Sequence, residues 1–215
     1  MAFSGSSILS ILRRPFSGPI QRYYDSTRQS FYEARNILSG MKGFEQFITS
    51  RSTHHVKSYK PINFYGLAFS SSRKQAVKHL GKPNYQLKTQ FGIKKHEVLF
   101  YKITIHQVKC ILQLHFHDQL FFMAAIELRS QKTDFNRRVI DLIRRKYDID
   151  EAHWNGKVID GSGHTIETRN NINPYVVYRT GDQDVLDNIQ FHVDNLAYHR
   201  QRKEENELEF LLDIF

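Results

Sequence analysis

The chain has 215 residues, 40% hydrophobic and 25% charged, enough for one sizeable domain or two small ones. Its single cysteine, Cys110, excludes an internal disulfide and the cysteine-rich zinc sites, and it fits a reducing compartment. The net charge of +9 favours acidic partners, whether nucleic acid, anionic lipid or an acidic protein surface.

Residues 1–60 read as a basic arm, partly helical. Nine Lys or Arg there stand against Asp25, Glu33 and Glu45, so the arm holds six of the nine surplus charges. The first 24 residues are Ser-rich, carry Arg13, Arg14 and Arg22 and contain no acid, which resembles a mitochondrial transit peptide. The expected location is nonetheless cytoplasmic, with little fixed structure up to Pro19, and the transit peptide is the alternative. Residues 8–12 are too short for a signal-peptide core, and no apolar run approaches the ~20 residues of a spanning helix. Phe31, Ala34 and Leu38 predict a helix over 24–38, ended by Gly40, and Phe44, Phe47 and Ile48 a second short one. Residues 50–55 read as a linker. A basic, aromatic-studded arm suits a grip on a partner, on nucleic acid or on an anionic membrane, where Ile8, Leu9, Ile11, Leu12 and Phe16 would face lipid. A helix packed on the domain with a solvated basic face is the alternative.

Residues 61–182 read as an α+β domain, an antiparallel meander with short helices packed on one face. Ser72 with Gln75 forms a capping box for a helix carrying Ala76, Val77 and Leu80, and Gly81 and Pro83 end it. Residues 84–91 supply a strand. Residues 98–105, 108–117 and 120–128 are three longer strands read by parity. Tyr101, Ile103 and Ile105 share a face in the first. Val108, Cys110, Leu112, Leu114 and Phe116 share one in the second, with Lys109, Gln113, His115 and His117 opposite. Leu120, Phe122, Ala124, Ile126 and Leu128 share one in the third. One dry and one mostly wet face is the antiparallel signature. The two-residue junctions His106-Gln107 and Asp118-Gln119 leave no room for a crossover.

Phe135, Val139, Leu142 and Ile143 predict a helix over 134–147, with Arg137, Arg138, Arg144 and Arg145 outside. Those arginines could meet phosphate, or simply be solvated. Residues 157–180 return to strands around the turn 160–163, either extending the sheet or forming a degenerate second copy from 134. Residues 183–215 are a C-terminal helix and an acidic, apolar tail. Val185, Ile189, Val193 and Leu196 mark the helix, to about 206. Leu208, Phe210, Leu211, Leu212, Ile214 and Phe215 then crowd the last eight positions, too much apolar surface to leave in water without a use. They dock back on the sheet or bind a partner. Residues 211–215 resemble the pentapeptides that bind bacterial sliding clamps, and clathrin-box sequences.

The run Gly66-Leu67-Ala68-Phe69, Ser70 to Lys74, then Ala76-Val77-Lys78-His79-Leu80-Gly81-Lys82-Pro83 resembles the start of the domain of the SmpA/OmlA (BamE-like) outer-membrane assembly lipoproteins, itself similar to β-lactamase inhibitor protein. The likeness spans residues 62–128. It implies an antiparallel sheet behind a small helix, and a non-enzymatic adaptor that offers its sheet face to other proteins. The lipidation cysteine of that family has no counterpart here, so the outer-membrane role is not implied.

Chemistry finds little purchase. His115 and His117, at i and i+2 on one strand, suit metal ligation, with His54, His55, His192 and His199 as further ligands, but a wet sheet face carries such pairs without a metal. Asp148, Asp150 and Glu151 lack a calcium loop's glycine turn and distant glutamate. There is no phosphate loop and no Gly-x-Ser-x-Gly elbow. Cys110, on the apolar parity of its strand, is expected to be inert. The expectation is therefore a non-enzymatic protein-binding adaptor that needs no cofactor. A nucleic-acid-binding protein using Arg13, Arg14, Arg22, Arg28 and the arginines of 137–145 is the alternative, and a membrane-surface protein the second.

Overall fold

The computed structural model describes residues 27–38, 54–88, 93, 95–105, 107–128, 133–169 and 175–214. Arg13, Arg14, Arg22, the short helix expected around Phe44 to Ile48 and Phe215 lie outside the described residues. The strands are β1 (Val56–Lys57), β2 (Tyr85–Lys88), β3 (His96–Ile105), β4 (Val108–His117), β5 (Leu120–Leu128), β6 (Lys157–Ile159), β7 (Thr165–Arg169) and β8 (Tyr175–Arg179). The helices are α1 (Arg73–Leu80), α2 (Thr133–Lys146) and α3 (Gln183–Ile214), and residues 27–33 are also helical.

The class is α+β, and the long strands pair antiparallel as their short junctions require. Ile105 lies opposite Val108 in the first hairpin, and His117 opposite Leu120 in the second. The second turn places both Asp118 and Gln119 at positive φ, 48° and 70°, the backbone that a two-residue hairpin needs. Lys95 holds Asp118 at 2.9 Å.

The sheet as a whole is mixed, which corrects the purely antiparallel meander. Its order is β1-β6-β7-β8-β5-β4-β3-β2. Two meanders, β2 to β5 and β6 to β8, join where β8 pairs antiparallel with β5. The strands after α2 thus extend one sheet. At the edge, Val56 and Lys57 run parallel to Val158 and Ile159. Strands about a hundred residues apart carry no turn constraint, so either direction is open to them.

Cover on a single face is the second correction. Leu99, Tyr101, Cys110, Leu112, Leu114 and Phe116 meet Ala76 of α1, Ile143 of α2, and Phe64 and Phe69 from the approach to α1. The opposite face is equally dry. There Val98, Phe100 and Ile111 pack under Tyr32, and Met123, Ala125 and Val177 under Leu38, Ile189 and Val193. The run from Val98 to Tyr101 is apolar at every position, the mark of a strand covered on both sides.

A bulge opposite the His115–Phe116 step is the third correction. It breaks the parity of β5, so Phe121 joins the first face with Phe116 while Phe122 joins the second. The helix punctuation holds. Gln75 N donates to Ser72 Oγ at 3.3 Å and Ser72 N to Gln75 Oε1 at 2.7 Å, and Gly81 turns away at φ 84°.

Candidate functional site

The C-terminal helix is the feature that the rest of the fold does not consume. Asp182 starts it, its Oδ1 accepting from Val185 N at 3.3 Å, which satisfies one of the first-turn donors. Leu186, Ile189 and Val193 then anchor it to the second sheet face. Beyond Leu196 the helix continues, and every described side chain to Phe210 is exposed. At 1.5 Å per residue the stretch from Ala197 onward projects about 27 Å. Leu208 is 61% exposed and Phe210 67%, so these two do not dock back on the sheet. The side chains of Leu211, Leu212 and Ile214 lie outside the described residues, although α3 runs through them to Ile214. The helix therefore takes in most of what the sequence suggested was a separate tail.

The charge of this end is lopsided. Residues 204–215 hold Glu204, Glu205, Glu207, Glu209 and Asp213, with no Lys, Arg or His. A helix C-terminus already carries the negative pole of the backbone dipole, and basic side chains normally offset it. The last turn of α3 has none. Gln201 donates to Glu205 at 2.8 Å and Lys203 sits 3.6 Å from Glu207, which supports the helix locally but leaves the pole uncompensated. Phe210 lines a shallow concavity with Lys203, Asn206 and Glu207.

The sequence-derived arginines divide. Arg137, Arg138 and Arg145 are exposed on the outer side of α2. Arg144 is half-buried and tied to Asp141 at 3.2 Å and to Glu151 at 3.3 Å. Arg28 is engaged too, donating to the Asn84 carbonyl with its guanidinium 5.4 Å above the Tyr85 ring. Leu142, read as part of the buried stripe, is instead 58% exposed between Arg138 and Arg145. Core burial on α2 falls to Ile143 and, just past its end, to Tyr147, whose hydroxyl burial pushes up to about 12.

His115 and His117 do not face solvent, since α3 and Phe122 cover that side. His115 Nδ1 lies 3.3 Å from His96 Nε2 across the β3–β4 ladder. The His117 ring lies 5.3 Å from that of His192 of α3, the two planes tilted by 53°. Burial first, and His96 second, hold His115 well below the ordinary histidine range. His117 is lowered by burial and then by His192, against a smaller opposing effect of Asp118, with Lys95 lowering it further. Among the described residues no group of three or more His, Cys, Asp or Glu is placed to hold a metal. His96 was legible only through register, because it faces His117 across a hairpin. Cys110 is buried, and burial pushes its thiol up, with Glu127 adding to the shift.

Among the described residues no helix is long and apolar enough to cross a membrane. No family model matches the chain, and no curated protein or solved structure matches it. Fold and site together define an α+β protein with a doubly covered sheet and a projecting acidic helix.

Proposed function

We propose that this chain is a non-enzymatic protein-binding adaptor whose grip is the distal half of α3. The observation that carries the reading is Phe210 and Leu208 standing exposed on a helix whose anchors, among the described residues, lie in its first half. A helix segment gains little from propensity alone, and its stability in proteins comes mainly from a packed apolar face. Two residues apart, Leu208 and Phe210 stand on different sides of the helix as separate apolar anchors, and a helix laid in a groove is a standard mode of peptide recognition. Because the flanking charge is uniformly acidic, the complementary partner is a protein with a basic rim around an apolar groove. The likeness of residues 62–128 to the SmpA/OmlA domain supports an adaptor. Here both sheet faces are covered by the chain's own segments, so helix and not sheet meets the partner.

The test compares the full chain with a variant lacking residues 204–215 and with Phe210→Glu, each used as bait against its native extract. Loss of a discrete partner in both variants supports the reading. Retention of every partner by both overturns it.

A further inference from the structure

The outer side of α2 has the chemistry that the end of α3 lacks. Arg138, Leu142 and Arg145 follow one another at four and three residues, so they stand on one helix face. The two arginines and the leucine between them are exposed, with Arg137 and Lys146 alongside. A large apolar side chain rimmed by cations mirrors Leu208, which has Glu204 and Glu205 one turn before it and Glu207 and Glu209 on either side; Phe210, two residues on, stands on the opposite side of the helix.

The same chain cannot make this match with itself. Helix α2 packs on one face of the sheet through Ile143, and α3 on the other through Ile189 and Val193. An unbroken helix leaving one face has no route to the outer side of a helix on the opposite face. Tail-to-tail pairing between copies is disfavoured as well, because it sets five acids against five.

Resting on the reading of α3 as the grip, we infer that its first partner is a second copy of this chain. The distal end of each α3 lies on the Arg138–Leu142–Arg145 face of its partner's α2, and the reciprocal exchange closes as a two-fold dimer. Leu208 of each tail is then covered by Leu142, and the tail's negative pole is met by guanidinium groups.

The mass of the purified full chain, measured by sedimentation over a concentration series at low and high salt, tests this. A concentration-dependent dimer that weakens with salt is expected. Arg138→Glu with Arg145→Glu, and separately Glu207→Lys with Glu209→Lys, are each expected to weaken it at least ~10-fold, since every buried mismatch costs a kcal/mol or more. Combining the two reversals in one chain restores it. These positions are exposed, and circular dichroism checks that each variant keeps its helix. A chain monomeric at every concentration overturns the inference, as does a dimer indifferent to both reversals. If the purified chain stays monomeric while extract capture still depends on residues 204–215, the second copy is ruled out and the adaptor reading stands. If the arginine reversal abolishes binding of a labelled RNA or DNA and leaves the mass unchanged, α2 is a nucleic-acid surface and the inference also falls.

Discussion

His96 Nε2 and His115 Nδ1 face each other at 3.3 Å in the dry layer between sheet and α3, their rings within 15° of parallel. One ring must donate and the other accept, which two imidazolium rings cannot do. Among the described residues His115 Nε2 has no partner, so a second proton there would be buried without compensation. The folded protein therefore holds His115 neutral, below the ordinary value near 6.5. Stability from this group is complete above that value. It falls as pH drops, because the unfolded chain then binds a proton that the folded chain refuses. The slope is about 1.4 kcal/mol per pH unit for one such group, and His117 adds in the same direction. Urea unfolding at pH 7.5 and 5.5 measures it. His115→Phe is expected to flatten the dependence, and an unchanged slope in that variant refutes the account.

Asp160 fixes the turn that joins β6 to β7 and the approach to α1. Its Oδ2 accepts from Ile62 N at 2.7 Å, and its Oδ1 from Ser162 N and His164 N, both at 2.9 Å. The residue is buried, so removing the carboxylate leaves three backbone donors without it. Asp160→Ala is expected to cost about 3 kcal/mol, and Asp160→Asn about half of that, because one amide oxygen can serve one side of the set. A loss below ~1 kcal/mol for the alanine variant, read from urea midpoints, would show that water takes over these bonds.

Gly181 gives a sharper contrast. A Cβ there would sit 2.2 Å from the Gly163 carbonyl carbon and 2.6 Å from the Ser162 carbonyl oxygen. Both obstacles are backbone, in a turn that also holds His164 Nδ1 against Gly181 N at 2.8 Å. Gly161, in the same turn, has nothing within 4 Å of its would-be Cβ. Gly181→Ala is therefore expected to lose at least ~2 kcal/mol, as overpacking against immovable atoms does. Gly161→Ala should stay within ~0.5 kcal/mol of the parent. Thermal unfolding of the two side by side decides, and equal melting temperatures would reject the close approach.

What the residues disclosed in advance follows from how local each signal is. The capping box of α1 and the parity of Cys110, Leu112, Leu114 and Phe116 are written in neighbouring positions, and both are found as read. Gln113 shows where that reading stops. It sits in the row taken as wet, yet it is buried, because its amide accepts from Ile37 N at 2.9 Å and donates to the Arg35 carbonyl, more than seventy residues upstream. A polar side chain whose partners are distant backbone looks the same in sequence as one facing water. His115 misleads in the same way. The pairing of Val56 with Val158 and the bulge beside His115 are set by the assembled sheet and leave no local trace. At the candidate site, the apolar crowding after Leu208 was plain, but the sequence left open whether it packs inward. The unbroken helix and the exposure of Phe210 resolve that for the side chains described.

Arg73 clamps α1 to the edge of the sheet. Its Nε lies 2.6 Å from Glu97 Oε1, a second guanidinium nitrogen lies 3.0 Å from Gln86 Oε1, and Gln86 in turn donates to Glu97. Glu97 is buried and Arg73 keeps 29% of its side chain exposed, so the pair is neither a solvated surface bridge nor a fully dry one. Exposed pairs contribute well under 1 kcal/mol, whereas breaking a buried pair costs 3–5, and this one should fall between, at roughly 2 kcal/mol for Arg73→Ala. Arg73→Lys should recover less than half, since a single ammonium cannot reach both Glu97 and Gln86 in the forked geometry. Glu97→Ala alone is expected to lose a similar amount. Removing both partners should cost clearly less than the two single losses added, by about 1 kcal/mol or more, because neither is then left buried alone. Urea unfolding of the four proteins completes that cycle. Strict additivity would mean that α1 is held by Ala76 and its apolar neighbours, with the ion pair along for the ride.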